Sequence, residues 1–130
     1  MKTKFKSLVQ FITEDHNIQL AIVFGSYAKE TQIEQSDMDL AIQLSEPMTS
    51  KQKLNYIVKL QEYVAAEIDL VDLCRVGQPL LSQIIKYGKC IKGSGIPYAE
   101  LAVKNVNTAQ DFLPAINYIM KERRKRLLNG

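Results

Sequence analysis

The sequence predicts a small α/β domain built on a short mixed sheet, on three observations. Short β-rich runs stand at residues 19–24, 37–44 and 67–74, each bounded by turn residues. Segments with apolar residues at helical spacing lie before, between and after them. The link between the second and third runs is long enough for a crossover helix. The short link between the first two leaves an antiparallel or mixed arrangement open.

The elements follow in order. Phe5, Leu8, Val9 and Ile12 lie at helical spacing, so residues 3–15 read as an amphipathic first helix. "QLAIVF" (19–24) reads as a buried strand that ends at Gly25, after which Ser26 is placed to open a short helix. "DMDLAIQL" (37–44) alternates: Met38, Leu40, Ile42 and Leu44 point one way, and Asp37, Asp39, Ala41 and Gln43 the other. Residues 50–65 read as a helix with Leu54, Ile57, Val58 and Leu60 on or near one face. "EIDLVDLC" (67–74) reads as a third strand, 79–88 as a further helix ending near Gly88, and "KCIKG" (89–93) as an edge strand. From Tyr98 onward the pattern is helical again, with Pro114 marking a kink or the first turn of a new helix. The expected organisation is one domain over 1–130, with a core to about residue 93 and a helical segment over about 97–128.

Composition narrows the function. The chain has 130 residues, 46% hydrophobic and 24% charged, which suits one soluble domain with its own core. A net charge of +3 is too small to argue for nucleic-acid binding. No signal peptide or membrane-length apolar run is read in it. Cys74 and Cys90 lack metal-ligand spacing and read as reduced, mostly buried thiols, which points to the cytoplasm. His16 is the only histidine, so zinc chemistry and a serine–histidine relay have little to build on.

The chemistry concentrates in "IVFGSYAKETQIEQSDMDLAI" (22–42). Strand periodicity sets Asp37 and Asp39 side by side, where each disfavours ionisation of the other. A divalent cation removes that conflict, and carboxylate oxygens suit Mg2+ bound together with substrate phosphates. Gly25 allows close backbone approach, and free N–H groups at a helix start at Ser26 favour an anion. The third strand offers two further carboxylates. With Ile68 and Leu70 facing the core, Asp69 joins the face of Asp37 and Asp39 and is preferred. Its rival Asp72, near the strand end, could instead orient a loop or pair with Arg75.

Gly25-Ser26, ten residues, then Asp37-Met38-Asp39 resembles the signature of nucleotidyltransferases of the polymerase-beta superfamily. "EIDLVDL" is similar to that family's third-carboxylate strand, and "LAVKNVNTAQDFLPAINYIMKERRKRLL" to the helical tail of its minimal, MntA-type antitoxins. The resemblance implies a polymerase-beta-like fold: a small mixed sheet, helices mainly on one face and a C-terminal helical segment. It implies that Gly25 and Ser26 bind the nucleotide, and that Asp37, Asp39 and Asp69 are catalytic and hold Mg2+, as two ions. It further implies transfer of AMP from ATP to tyrosine of a HEPN-family toxin ribonuclease, in a hetero-oligomer with that toxin. The chain departs from many members at Tyr27, where arginine is usual, and at Glu30, where glycine is.

Other readings compete. A binding module could neutralise its partner by contact alone, with catalysis vestigial, or the acceptor could be a small molecule. The basic run Lys121–Arg126 reads first as a solvated helix end and second as a docking patch for an acidic partner. Nucleic-acid binding ranks below both, because no aromatics interleave with those charges. Tyr56, Tyr63, Tyr87, Tyr98 and Tyr118 read as half-buried packing groups, and the stripe Phe112, Ile116 and Ile119 as a partner surface or a core face.

Overall fold

The computed structural model describes residues 2–25 and 37–104, with Asn117 and Lys121 besides. Helix α1 (Lys2–Glu14) is followed by strands β1 (Leu20–Phe24) and β2 (Met38–Gln43), then helix α2 (Ser50–Gln61) and strand β3 (Ile68–Asp72). Helix α3 (Leu80–Tyr87), strand β4 (Lys89–Lys92) and helix α4 (Ile96–Lys104) complete the order. The chain divides into two compact units, Met1–Lys92 and Gly93–Gly130. The first unit holds the sheet, in the order β3-β2-β1-β4. In the second, α4 buries Tyr98, Leu101 and Ala102. Phe112, Pro114, Ile116, Tyr118 and Ile119 lie outside the described residues, as does the basic run beyond Lys121.

Each connection explains its pairing. β1 and β2 are antiparallel, with Phe24 opposite Asp39 and Leu20 opposite Gln43. The β2–α2–β3 crossover brings β3 parallel to β2, with Asp39 opposite Asp69 and Ile42 opposite Asp72. β4 returns antiparallel on the far side of β1. The sheet is therefore mixed, as the link lengths suggest.

The main core forms on one face. Ala21, Val23, Met38, Leu40, Ile42, Ile68 and Leu70 meet Leu8 and Ile12 of α1 and Leu60 of α2. Leu8 and Ile12 are one helical turn apart and wholly buried. α1 stops where Asp15 turns the chain, its Oδ1 accepting from the Asn17 N–H at 2.9 Å. Lys92 of β4 donates Nζ to the Asp15 carbonyl at 2.7 Å and the Ile12 carbonyl at 3.4 Å, so a cation satisfies orphan carbonyls at the negative end of the helix. α2 starts with a capping box between Thr49 and Gln52. Its Gln61 side chain donates to the carbonyls of Val64 and Ala66 and accepts from Ile68 N–H, tying the helix exit to β3.

Four expectations change. Ala41 is not solvated on the carboxylate-bearing face. It is fully buried, as are Leu20 and Ile22 on the same face of β1. α3 packs on β1, with Gly88 at its end lying against the Ile22 side chain. This face is thus half apolar and half acidic. On α2, Leu54 and Val58 are exposed, and the buried stripe runs instead through Tyr56, Ile57 and Leu60. Cys74 and Cys90 are not mostly buried: Cys74 is exposed and Cys90 only half-buried, because both sit at the ends or edges of the sheet. Among the tyrosines, Tyr56 and Tyr63 are half-buried, whereas Tyr98 is buried and Tyr87 is exposed. Among the described residues no helix is long and apolar enough to cross a membrane.

Candidate active site

The acidic half of that face is assembled by strand register. Parallel pairing sets Asp39 of β2 directly opposite Asp69 of β3. Antiparallel pairing sets Phe24 of β1 on the other side of Asp39, so the chain reaches Gly25 just beside that carboxylate. Gly25 takes a left-handed backbone, φ 72°. A Cβ built there would run into Asp39 Oδ2, so both the turn and the close approach demand glycine. The sequence supplies a phosphate-side reason for glycine at this place. The structure adds the carboxylate.

Asp39 is half-buried, while Asp37 and Asp69 are exposed. Burial, then the negative charges of Asp69 and Asp37 and a hydrogen bond with Asp69, hold the Asp39 carboxyl above its ordinary value. Three acidic side chains therefore share one field, with the costliest charge at the centre. Such crowding is unusual for a purely structural surface.

Asp72 does something else. It is 9% exposed and lies opposite Ile42, on the core side of the strand pair. Its Oδ2 accepts from Met48 N–H at 2.8 Å and its Oδ1 from Cys74 N–H at 3.0 Å. Arg75 Nε stands 3.6 Å from Oδ2. Asp72 thus ties the loop after β2 to the loop after β3. Nothing in its contacts turns it toward Asp39.

The donor set fits a divalent cation. Oxygen-only ligands suit Mg2+, which keeps several waters and takes the rest from substrate phosphates. Among the described residues no three acidic, histidine or cysteine side chains converge into a ready-made cage. The site is an open carboxylate pair with Asp37 at its rim, which leaves room for waters and phosphate oxygens around a cation. Ser26, and with it Tyr27 and Glu30, lies outside the described residues. Reading from sequence misses two features here: the contact between Gly25 and Asp39, and the apolar cover over Ile22. The amphipathic pattern of α3, with Leu81 and Ile84 buried, was the available signal for the second.

A four-stranded mixed sheet, with carboxylates paired on adjacent strands beside a glycine turn, defines a nucleotidyltransferase of the polymerase-beta type. Residues 6–94 match the family Polymerase beta, Nucleotidyltransferase, and the chain belongs to it. Membership implies a nucleotide substrate and, in general, a divalent metal. The chain is 30% identical over 93 residues to the protein adenylyltransferase MntA of Shewanella oneidensis, covering 72% of this chain and 67% of that one. It is also similar to a chain in the crystal structure of a toxin–antitoxin with AMP-PNP, at 25% identity and TM-score 0.69, covering 95% of this chain and 98% of that one. The fold is shared with a chain in the complex of a tri-AMPylated HEPN toxin with MNT antitoxin from Shewanella oneidensis (23% identity, TM-score 0.62, 95% of each chain).

Proposed function

We propose that this chain, as a single minimal transferase domain over residues 1–130, is an antitoxin that transfers AMP from ATP to tyrosine of a HEPN-family toxin. The observation that carries the reading is the register pair Asp39–Asp69 beside Gly25, on a chain similar to a protein adenylyltransferase. A module that acted by contact alone would have no use for carboxylates held against their mutual repulsion.

In this reading Gly25 and Ser26 take the triphosphate, the glycine by close backbone approach and the serine at a helix start. Asp37, Asp39 and Asp69 would hold two Mg2+ ions, which neutralise the phosphate charge and favour in-line displacement when bound. The phenol oxygen of the acceptor attacks the α-phosphorus. A bond forms from that oxygen to phosphorus, the bond from the α-phosphorus to the bridging oxygen breaks, and pyrophosphate leaves. Asp69, exposed on edge strand β3, receives the phenolic proton. Positioning and charge supply most of the acceleration, as in phosphoryl transfer generally.

The test is incubation with the cognate HEPN toxin, ATP and Mg2+. The toxin's mass should rise by whole AMP units, the label should map to tyrosine, and its ribonuclease activity should fall in step. Complete silencing without a change in mass would favour stoichiometric binding instead.

A further inference from the structure

Strand β3 forms one edge of the sheet, and no strand among the described residues pairs with its outer side. The bonds to β2 decide which backbone groups face outward. Met38 N–H donates to the Glu67 carbonyl at 2.8 Å, and Leu73 N–H to the Ile42 carbonyl at 2.9 Å. Glu67, Asp69, Val71 and Leu73 therefore turn their backbone groups toward β2, and Ile68, Leu70 and Asp72 turn theirs outward. Two of the outward groups are already used. Ile68 N–H donates to Gln61 Oε1 at 3.3 Å, and the Asp72 carbonyl accepts from Arg75 and Val76 N–H at 3.0 Å. A short window stays open between them: the Ile68 carbonyl, both groups of Leu70, and Asp72 N–H.

Those four groups are the set that one antiparallel strand centred on Leu70 would use. The window also adjoins the carboxylates. In the nucleotidyl-transfer reading, on which this inference rests, the acceptor oxygen must reach Asp69, and β2 already occupies the inner side of that residue. We propose that an extended segment of the acceptor protein adds to β3 as an antiparallel edge strand, with its tyrosine directly opposite Asp69. That position is a non-hydrogen-bonded pair, the closer kind, with Cα atoms about 4.5 Å apart and both side chains on the carboxylate-bearing face. The two neighbours of the tyrosine fall beside the buried Ile68 and Leu70 and are apolar. The residue two positions C-terminal to it lies opposite the exposed Glu67 and is basic. The same acidic face discourages indiscriminate pairing at this edge.

The test reads the backbone. Hydrogen exchange is followed at single amides in the chain alone and in its complex with the cognate HEPN toxin, without nucleotide. Leu70 and Asp72 N–H should slow by about tenfold or more in the complex, as newly bonded amides do. Ile68 N–H, already held by Gln61, should change little. Glu67→Lys should raise the KM for the toxin by about 2- to 30-fold, the span between an attractive and a repulsive cross-strand pair, and leave the KM for ATP as it is. An unchanged KM for the toxin contradicts the basic residue and with it the register. Unaltered exchange at Leu70 and Asp72, in a complex that transfers AMP once Mg-ATP is added, overturns the edge docking and leaves the transfer reading standing. Protection at both amides without transfer overturns the transfer reading instead. A chain that neither binds nor modifies the toxin overturns both.

Discussion

Asp39 and Asp69 face each other across a parallel strand pair, and Asp39 carries the cost of that arrangement. Its carboxyl is held above the unfolded value of 3.8 by burial first, then by Asp69 and Asp37. The sign of the consequence follows from linkage. A raised pKa means that the folded state holds this proton more tightly, so the favourable contribution is complete below 3.8 and is lost as pH rises through the folded value. At neutral pH the metal-free protein therefore keeps an unfavourable charge. Asp39→Asn should raise the melting temperature of the metal-free protein at pH 7, and the gain should shrink as pH falls toward 3.8. Thermal unfolding across pH, with and without Mg2+, checks this. Wild type, but not the variant, should gain stability from the ion.

Asp69 and Asp72 should separate chemistry from stability. Asp69→Ala, on an exposed side chain, should change stability by less than about 0.5 kcal/mol yet lower transfer by about 10²- to 10⁴-fold. Asp72→Ala removes the acceptor for Met48 and Cys74 N–H groups and should cost about 1–3 kcal/mol. The Arg75 contact adds little, since that side chain is 67% exposed. Denaturant titration alongside initial rates distinguishes them. A stable, inactive Asp72→Ala with an active Asp69→Ala would reverse the two roles.

Gly25→Ala should fail for two separable reasons. The left-handed backbone costs about 1–2 kcal/mol with any side chain, and the new methyl meets Asp39 Oδ2. Pairing it with Asp39→Ser relieves the collision but not the backbone, so a double-mutant cycle should show positive coupling. Additive losses would mean that the glycine serves the turn alone.

Tyr56 offers a control far from the carboxylates. Its hydroxyl donates to Asp15 Oδ2 at 3.0 Å. Burial, then Asp15, push the phenol up to about 12, from 10.0. The stabilisation is complete below 10.0 and is lost as pH rises through about 12. Tyr56→Phe should cost about 1 kcal/mol at neutral pH, and the gap from wild type should close over that alkaline window. Equal curves at all pH values would show that the hydrogen bond contributes nothing.

Much of this was legible in the sequence because period-two alternation is a strong signal. Met38, Leu40 and Ile42 against Asp39 fixed the facing of β2, and Ile68 and Leu70 did the same for Asp69 against Asp72. The length between β2 and β3 allowed the crossover that the parallel pair uses. What the sequence hid was depth. Ala41 sits on the polar phase of the alternation yet is fully buried, and only tertiary packing decides that. Leu54 and Val58 obey helical spacing yet face outward, because α2 spends Ile57 and Leu60 on the core instead. Tyr87 reads as a packing tyrosine, yet at the end of α3 it is exposed.

The measurement that tests the account most directly is intact-mass spectrometry of the cognate toxin after incubation with ATP, Mg2+ and either wild type or Asp37→Asn/Asp39→Asn. The exposed Asp37 and half-buried Asp39 are not core residues, so the variant should remain folded and bind the toxin. Wild type should add whole AMP units to the toxin, and the variant should add none while the toxin keeps its ribonuclease activity. A folded variant that modifies or silences the toxin as wild type does would contradict the assignment of these carboxylates.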